Sequence, residues 1–535
     1  MAKTRASVRF FRDTALGATC LFAACSSGSG APAGGGNSTG GTPPPPTGFA
    51  LFTSNRTLAG VFEPWIASYD GTDLRPLGAL LPDGGAILEW GARMSSDGRY
   101  LASVTAGLTD THYSVLDVEA GTALTLPFSG SAASAPARTS FAFSPDSRRL
   151  LLTRDDGLGR RTAHVMNADG TNVLELAFGG DEHGASLWSP NSQHFLCWVE
   201  RQDPFEDSLF LVRHDGTTAL DLIPPIGESR GTLEQSWSAD GSKLAFEFHA
   251  EPTGGGQDFS QIWVYDTASS SLVAITPQYD FVRNLGLSAD GATLAYWLNN
   301  GPGNRAELYV MSTLGGGGTF VAFDATYDLE WAPAGDHFSY VTLDGTATRA
   351  LHVADSSGAT RRLDMQTTSS QRVAEWSWSP DGRWLAFVVE HPTPQREVWV
   401  ADVTTSDPAV LVTEVSVHSD GRLPRWSPDS RWLYAIERER TSQADVLNAW
   451  PTGDWSARRS LGKSSGAAGP LISGFGDMPF VPTPDSTAVI WRRRGDGGTQ
   501  TEVVWARPGD PGSLRVLSSP PAPGAVGGVW QMFAR

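Results

Sequence analysis

The sequence predicts an all-β chain, a β-propeller built from four-stranded antiparallel blades. Three observations carry this expectation. A turn unit of the form aromatic-Ser-Pro-Asp-Gly recurs nine times, a second polar turn follows the copies at a similar distance, and no helical period lies between them. The clearest copies are Trp378-Ser379-Pro380-Asp381-Gly382-Arg383-Trp384-Leu385 and Trp426-Ser427-Pro428-Asp429-Ser430-Arg431-Trp432-Leu433. Others begin at Met94, Phe143, Trp188, Trp237, Leu287, Trp331 and, in a weaker form, Pro482, with spacings of roughly 44 to 56 residues.

Each part of the unit has a physical job. The aromatic residue ends one strand with a large apolar surface. Proline fixes φ at the start of the turn, and Asp-Gly or Asp-Ser suits the turn itself. Leu244-Ala245-Phe246-Glu247-Phe248 exemplifies the second strand and Gln261-Ile262-Trp263-Val264-Tyr265-Asp266 the third. A polar turn such as Asn167-Ala168-Asp169-Gly170-Thr171 leads to a short fourth strand such as Leu272-Val273-Ala274-Ile275-Thr276. Residues 49–53 form a second strand with no motif strand before it, while Gly528-Val529-Trp530-Gln531-Met532-Phe533 is an orphan strand at the other end. Pairing the two buries both edges and brings the count to about ten blades. A single closed ring is the expected arrangement; two rings sharing the chain are the other.

The repeat resembles that of TolB-type propellers over residues 49–535. The resemblance implies blade type and not function, since such blades serve many roles. Sialidase-type Asp boxes fit less well, because glycine here follows aspartate directly, as in Asp290-Gly291. The α/β domain that precedes the propeller of TolB has no counterpart in the sequence given, so TolB's role is not carried over. Nor is the hydrolase domain that follows such blades in prolyl-oligopeptidase relatives expected.

Residues 1–24 read as a signal peptide, with Lys3, Arg5, Arg9 and Arg12 before an apolar run from Thr14 to Ala24 that is too short to span a bilayer. Phe22-Ala23-Ala24-Cys25 resembles a bacterial lipobox, although Phe22 stands where leucine is usual, and implies lipidation of Cys25. Residues 25–48 then form a lipidated, Gly/Ser/Pro-rich tether. Ser26 after the cysteine implies the outer membrane, with the propeller periplasmic or surface-facing and attached only through lipid.

A formal net charge of −18 argues against a nucleic-acid partner. Three cysteines, two of them in the leader, exclude a disulfide framework, and Cys197 lies in an apolar strand where a buried residue is expected. Gly462-Lys463-Ser464-Ser465-Gly466 matches G-x-S-x-G, but no histidine follows it and residues 466–470 read as loop. The ten histidines form no zinc pattern, the acids no calcium loop, and Gly315–Gly318 no phosphate cradle, so neither metal nor cofactor is expected. Arg492, Arg493 and Arg494 read as a solvated hairpin edge, and Arg494-Gly495-Asp496 as a turn.

Three residues before the motif aromatic stand Glu234, Asp328 and Glu375, with Asn284 and Ser140 in other blades. These are candidate channel-lining residues, able as a ring of acids to hold a cation or a basic peptide. The functional expectation is a monomeric, non-enzymatic scaffold that binds an envelope protein, peptide or other ligand. The alternative is an enzyme at the channel mouth, a lyase or hydrolase acting on an envelope sugar or peptide.

Overall fold

The structure, a computed structural model, describes residues 48–534 apart from 232–233 and segments within the connections that follow the second and fourth strands of the blades; the residues expected to form a signal peptide and tether, Cys25 among them, lie outside the described residues. Ten antiparallel sheets follow one another along the chain, nine of four strands and one in which the first strand is split. The first strands of blades 2 to 10 are Ile87–Met94, Ser140–Phe143, Glu182–Trp188, the pair Ser229–Gly231 and Gln235–Trp237, Val282–Leu287, Ala325–Trp331, Arg372–Trp378, Arg425–Trp426 and Phe480–Pro482. Blade 1 takes its first strand from the C-terminal end: Val529–Ala534 pairs antiparallel with Phe49–Ser54. Among the described residues the one helical element is the 3-10 turn Gly78–Leu80.

The fourth strands form the rim, since Ala219–Asp221 is exposed at every position while second and third strands such as Trp384–Glu390 are almost wholly buried. First strands sit at the axis, where neighbouring blades come close enough to bond. Trp188 Nε1 donates to the Ala142 carbonyl at 3.0 Å, Trp331 Nε1 to Gly286 at 2.8 Å, and Trp426 Nε1 to Ser377 at 3.1 Å, each reaching the preceding blade.

Side chains of the middle strands alternate between the two flanking blades and create one apolar layer at each junction. Ten such layers close the circle. Eight join consecutive blades from 2 to 10, one joins blades 1 and 2 through Leu51, Leu77, Leu101 and Leu116, and the last joins blades 10 and 1 through Ile490, Trp505, Phe52 and Tyr69. The chain is therefore one ten-bladed ring and not two.

The recurrent turn is a hydrogen-bonded staple. The motif serine is buried in every blade that has one; Ser379 Oγ donates to Asp381 Oδ1 at 2.5 Å and accepts from the Trp384 amide at 2.9 Å. Ser427 repeats this with Asp429 and Trp432 at 2.6 and 2.9 Å, and Thr483 with Asp485 and Ala488 at 2.5 and 3.0 Å. The residue after the motif aspartate then decides how blades dock. Where it is serine, as at Ser147, Ser192, Ser430 and Ser486, its Oγ accepts the aspartate amide of the preceding blade at 2.9–3.0 Å. These four serines hold φ between 59° and 61°, a left-handed conformation whose cost the inter-blade bond offsets. Where it is Gly382, at φ +71°, the preceding turn approaches directly, and a Cβ would lie 1.9 Å from the Ala334 carbonyl oxygen.

Two sequence expectations gain detail. Cys197 is buried as expected, with burial pushing its thiol up to about 12, so it is inert as a nucleophile. Arg492 corrects the expectation of a solvated edge: it is buried in Val489–Arg494, because a second strand is covered on both faces.

At Ser430 the bond and the strain oppose each other. Ser430→Ala loses the bond and keeps the left-handed backbone, so urea unfolding should register a loss of about 1–2 kcal/mol. Ser430→Gly relaxes the backbone and should lie within about 0.5 kcal/mol of the parent. Equal losses in both would mean that the inter-blade bond contributes everything and the strain nothing.

Candidate functional site

Strand direction gives the ring two unlike faces. First strands run toward the motif turns and third strands run the same way, so the motif turns and the third-to-fourth turns share one face. Arg99 with Asp117 at 2.9 Å and Arg383 with Asp402 at 2.7 Å tie these two turns together. Such exposed pairs contribute little stability. The second-to-third and blade-to-blade connections gather on the opposite face. They differ in length, from the short step between Phe323 and Ala325 to the long one between Lys463 and Phe480. The motif face is uniform and the loop face variable.

The four candidate residues fall where first strands break register. Val373 and Glu375 pair with consecutive residues of the second strand, leaving Ala374 as a bulge. Glu375 Oε2 is buried without a hydrogen-bond partner; burial raises its pKa, which Arg396 opposes and Glu390 reinforces. Asn284 lies in the irregularity between Arg283 and Gly286 with φ 51°. Asp328 lies in the one between Ala325 and Leu329 and accepts from Arg349 Nη2 at 2.5 Å. Glu234 lies between the two halves of the split strand, its carbonyl accepting the Glu247 amide at 3.0 Å. The register breaks differ in length from blade to blade, so these residues do not occupy one equivalent position of the first strands.

Spacing from the motif missed the residue directly before the aromatic. Its side chain faces the next blade, and its size complements what that blade presents. Ala142, Gly286 and Ser377 are small where Trp188, Trp331 and Trp426 arrive; a Cβ on Gly286 would lie 2.9 Å from Trp331 Cδ1. Glu330 breaks the rule. Trp378 there donates to Ser339 Oγ at 3.1 Å instead, and the enclosed Glu330 carboxyl is raised by burial to about 7, with the neighbouring Trp376 acting in the opposite direction. Arg93 and Arg425 occupy the same position in blades 2 and 9, facing Phe143 and Pro482, where no indole arrives. Burial lowers the pKa of both, although neither is shut off from solvent.

A denser polar network marks the loop face of blade 8. Glu390 accepts from Arg372 Nε at 2.8 Å and from Arg396. His391 contacts Glu397 at 3.0 Å and Gln371 at 2.9 Å, and Trp399 Nε1 donates to Glu397 at 2.9 Å. No group of three or more His, Cys, Asp or Glu able to hold a metal occurs among the described residues, and no helix among them is long and apolar enough to cross a membrane. Residues 464–466 of the G-x-S-x-G sequence and 495–496 of Arg-Gly-Asp lie outside the described residues.

No family model matches the chain. It is 24% identical over 246 residues to dipeptidyl-peptidase 5 of Porphyromonas gingivalis, a match covering 42% of this chain and 34% of that protein. The chain thus spans about a third of the length of this curated relative. Among solved structures it is similar to a eukaryotic initiation factor, with a TM-score of 0.49 and 13% identity over 78% of this chain and 96% of the other. It is also similar to TolB from Acinetobacter baumannii, with a TM-score of 0.28 and 16% identity over 69% and 82%. The fold is a ten-bladed β-propeller, as the sequence implied; likenesses at these identities concern the fold alone.

The enclosed carboxyl of Glu330 gives a signed prediction. Its pKa in the folded chain exceeds the ordinary 4.5, so its ionisation costs stability as pH rises from about 4.5 to about 7, with no further change above. Glu330→Gln should be more stable than the parent by about 1–3 kcal/mol at pH 8, and the two should converge near pH 4. Parallel stability curves at all pH values would contradict this assignment.

Proposed function

We propose that the chain is a non-enzymatic cell-envelope lipoprotein, anchored through Cys25 to the outer membrane, whose propeller binds a protein, peptide or other ligand at its loop face. The observation that carries this reading is the gathering of every variable connection on one face of a rigid ring, around the mouth of the channel. The path of the chain agrees with it. Gly48 accepts the Tyr69 amide at 3.1 Å beside the motif face, so the described chain enters the ring on that side, away from the loop face.

The second reading, an enzyme at the channel mouth, draws on Glu390, His391 and Glu397, which stand within hydrogen-bond reach of partners on the loop face of blade 8. Arg372, Arg396, Gln371 and Trp399 already engage them, which favours a clamp on the hairpin over free acid–base groups.

Cross-linking of the full chain in its envelope, followed by pull-down, separates the two. The scaffold reading expects one stoichiometric partner, lost in Arg372→Glu on the loop face and kept in Arg383→Ala on the motif face. Absence of a partner together with turnover of an envelope glycan or peptide, abolished by Glu397→Gln, would contradict the scaffold and establish the enzyme.

A further inference from the structure

The layer between blades 1 and 2 is built unlike the others. Among the described residues it holds Leu51, Ile66, Leu77, Leu101 and Leu116 but no buried aromatic ring, whereas each of the other nine layers holds at least one. One cross-strand pair accounts for much of this. In each of blades 3 to 8 the second and third strands turn toward the preceding blade a pair that includes a ring, such as Phe246 with Trp263, Tyr296 with Tyr309 and Phe387 with Trp399. In blade 2 that pair is Ser103 with Ser114.

Both serines are buried, as is Thr105 two residues along the same face, and among the described residues the three hydroxyls have no hydrogen-bond partner. A buried hydroxyl without a partner costs stability, and that cost is recovered when the two faces part and water reaches it. The directed bonds that orient other junctions have no place here either. Blade 1 takes its first strand from the far end of the sequence, so no motif turn links its first and second strands to offer an aspartate amide to blade 2. Blade 2 carries Met94 at the motif aromatic position, and a thioether cannot donate as an indole does. Two other junctions lack part of this equipment and keep the rest. The layer between blades 10 and 1 has Phe52, Tyr69 and Trp505. Blade 9 pairs Ala435 with Asn448, but Trp426 and Trp450 fill that layer, and Ser430 and Trp426 bond across it.

We propose that the junction of blades 1 and 2 is a seam at which the ring parts, while every blade keeps its strands paired. Parting there opens the channel from the side and leaves the other nine layers in place. The seam is distinct from global unfolding, because side-chain layers separate there and strand ladders do not. It is also independent of the loop-face partner, so each reading can fail alone.

Thiol labelling of the full chain, read site by site by peptide mass spectrometry, tests this. Cys197 stands at the repeat position of Ser103, paired with Phe210, and is buried between blades 3 and 4, so it serves as the internal reference. In native buffer the thiol of Ser103→Cys should be labelled at least about tenfold faster than Cys197, with a weaker dependence on urea. Ser114→Cys, on the facing strand, should report the same ratio. Adding Thr105→Val, which removes a hydroxyl and keeps the shape, should slow labelling of either introduced thiol about tenfold and leave that of Cys197 unchanged. Labelling of the introduced thiols at the rate of Cys197, or no slowing by Thr105→Val, would overturn the proposal and leave the serines as packing.

Discussion

The bond between neighbouring blades is the constraint on which the rest of this molecule depends. A four-stranded sheet of this size has two apolar faces and cannot cover either alone. Each face is covered by the next blade, and the covering is oriented by a few directed bonds. Near the axis a tryptophan indole donates to the preceding first strand, as Trp331 does to Gly286. At the motif face an aspartate amide donates to the next serine, as Asp381 does to Ser430. Apolar layers supply the stabilisation, and the bonds set the angle at which blades meet. The closing strand Val529–Ala534 then gives the first blade the inner edge that its own sequence lacks.

A ring held in this way can vary where its blades are not joined. The buried serine and threonine hydroxyls of the motif turns are engaged in holding the structure, and those turns are nearly identical from blade to blade. The opposite connections carry no copy of the repeated turn, and their lengths differ from blade to blade. The first strands show a related division: where an indole of the next blade donates to the chain, the residue is small, as at Ala142, Gly286 and Ser377.

Much of this was legible in the sequence. The aromatic-Ser-Pro-Asp unit located the blades, their four strands and the closure by the C-terminal strand Val529–Ala534, because residues of the unit have local geometric duties that survive in most copies. Other features were not legible. Tryptophan was read as apolar surface, since a donor bond to the preceding blade leaves no local signature. The choice between serine and glycine after the aspartate looked interchangeable, because both tolerate the turn; only the approach of the neighbouring blade separates Ser430 from Gly382. Counting back three positions grouped Glu234, Asn284, Asp328 and Glu375, but breaks of unequal length spoil that equivalence. Arg93, Glu330 and Arg425 share a position that reads as random along the chain and acquires meaning only beside the residue facing it.

The central claim is that closure makes ten blades one cooperative body. Amide hydrogen exchange of the full chain tests it most directly, comparing strands Phe49–Ser54 and Val489–Arg494, which flank the closure, with Trp384–Glu390 in the interior. Closure predicts that all three exchange with the same opening free energy, equal to that of global unfolding. Loss of protection in the terminal strands well before the interior one, as separate opening events, would contradict it.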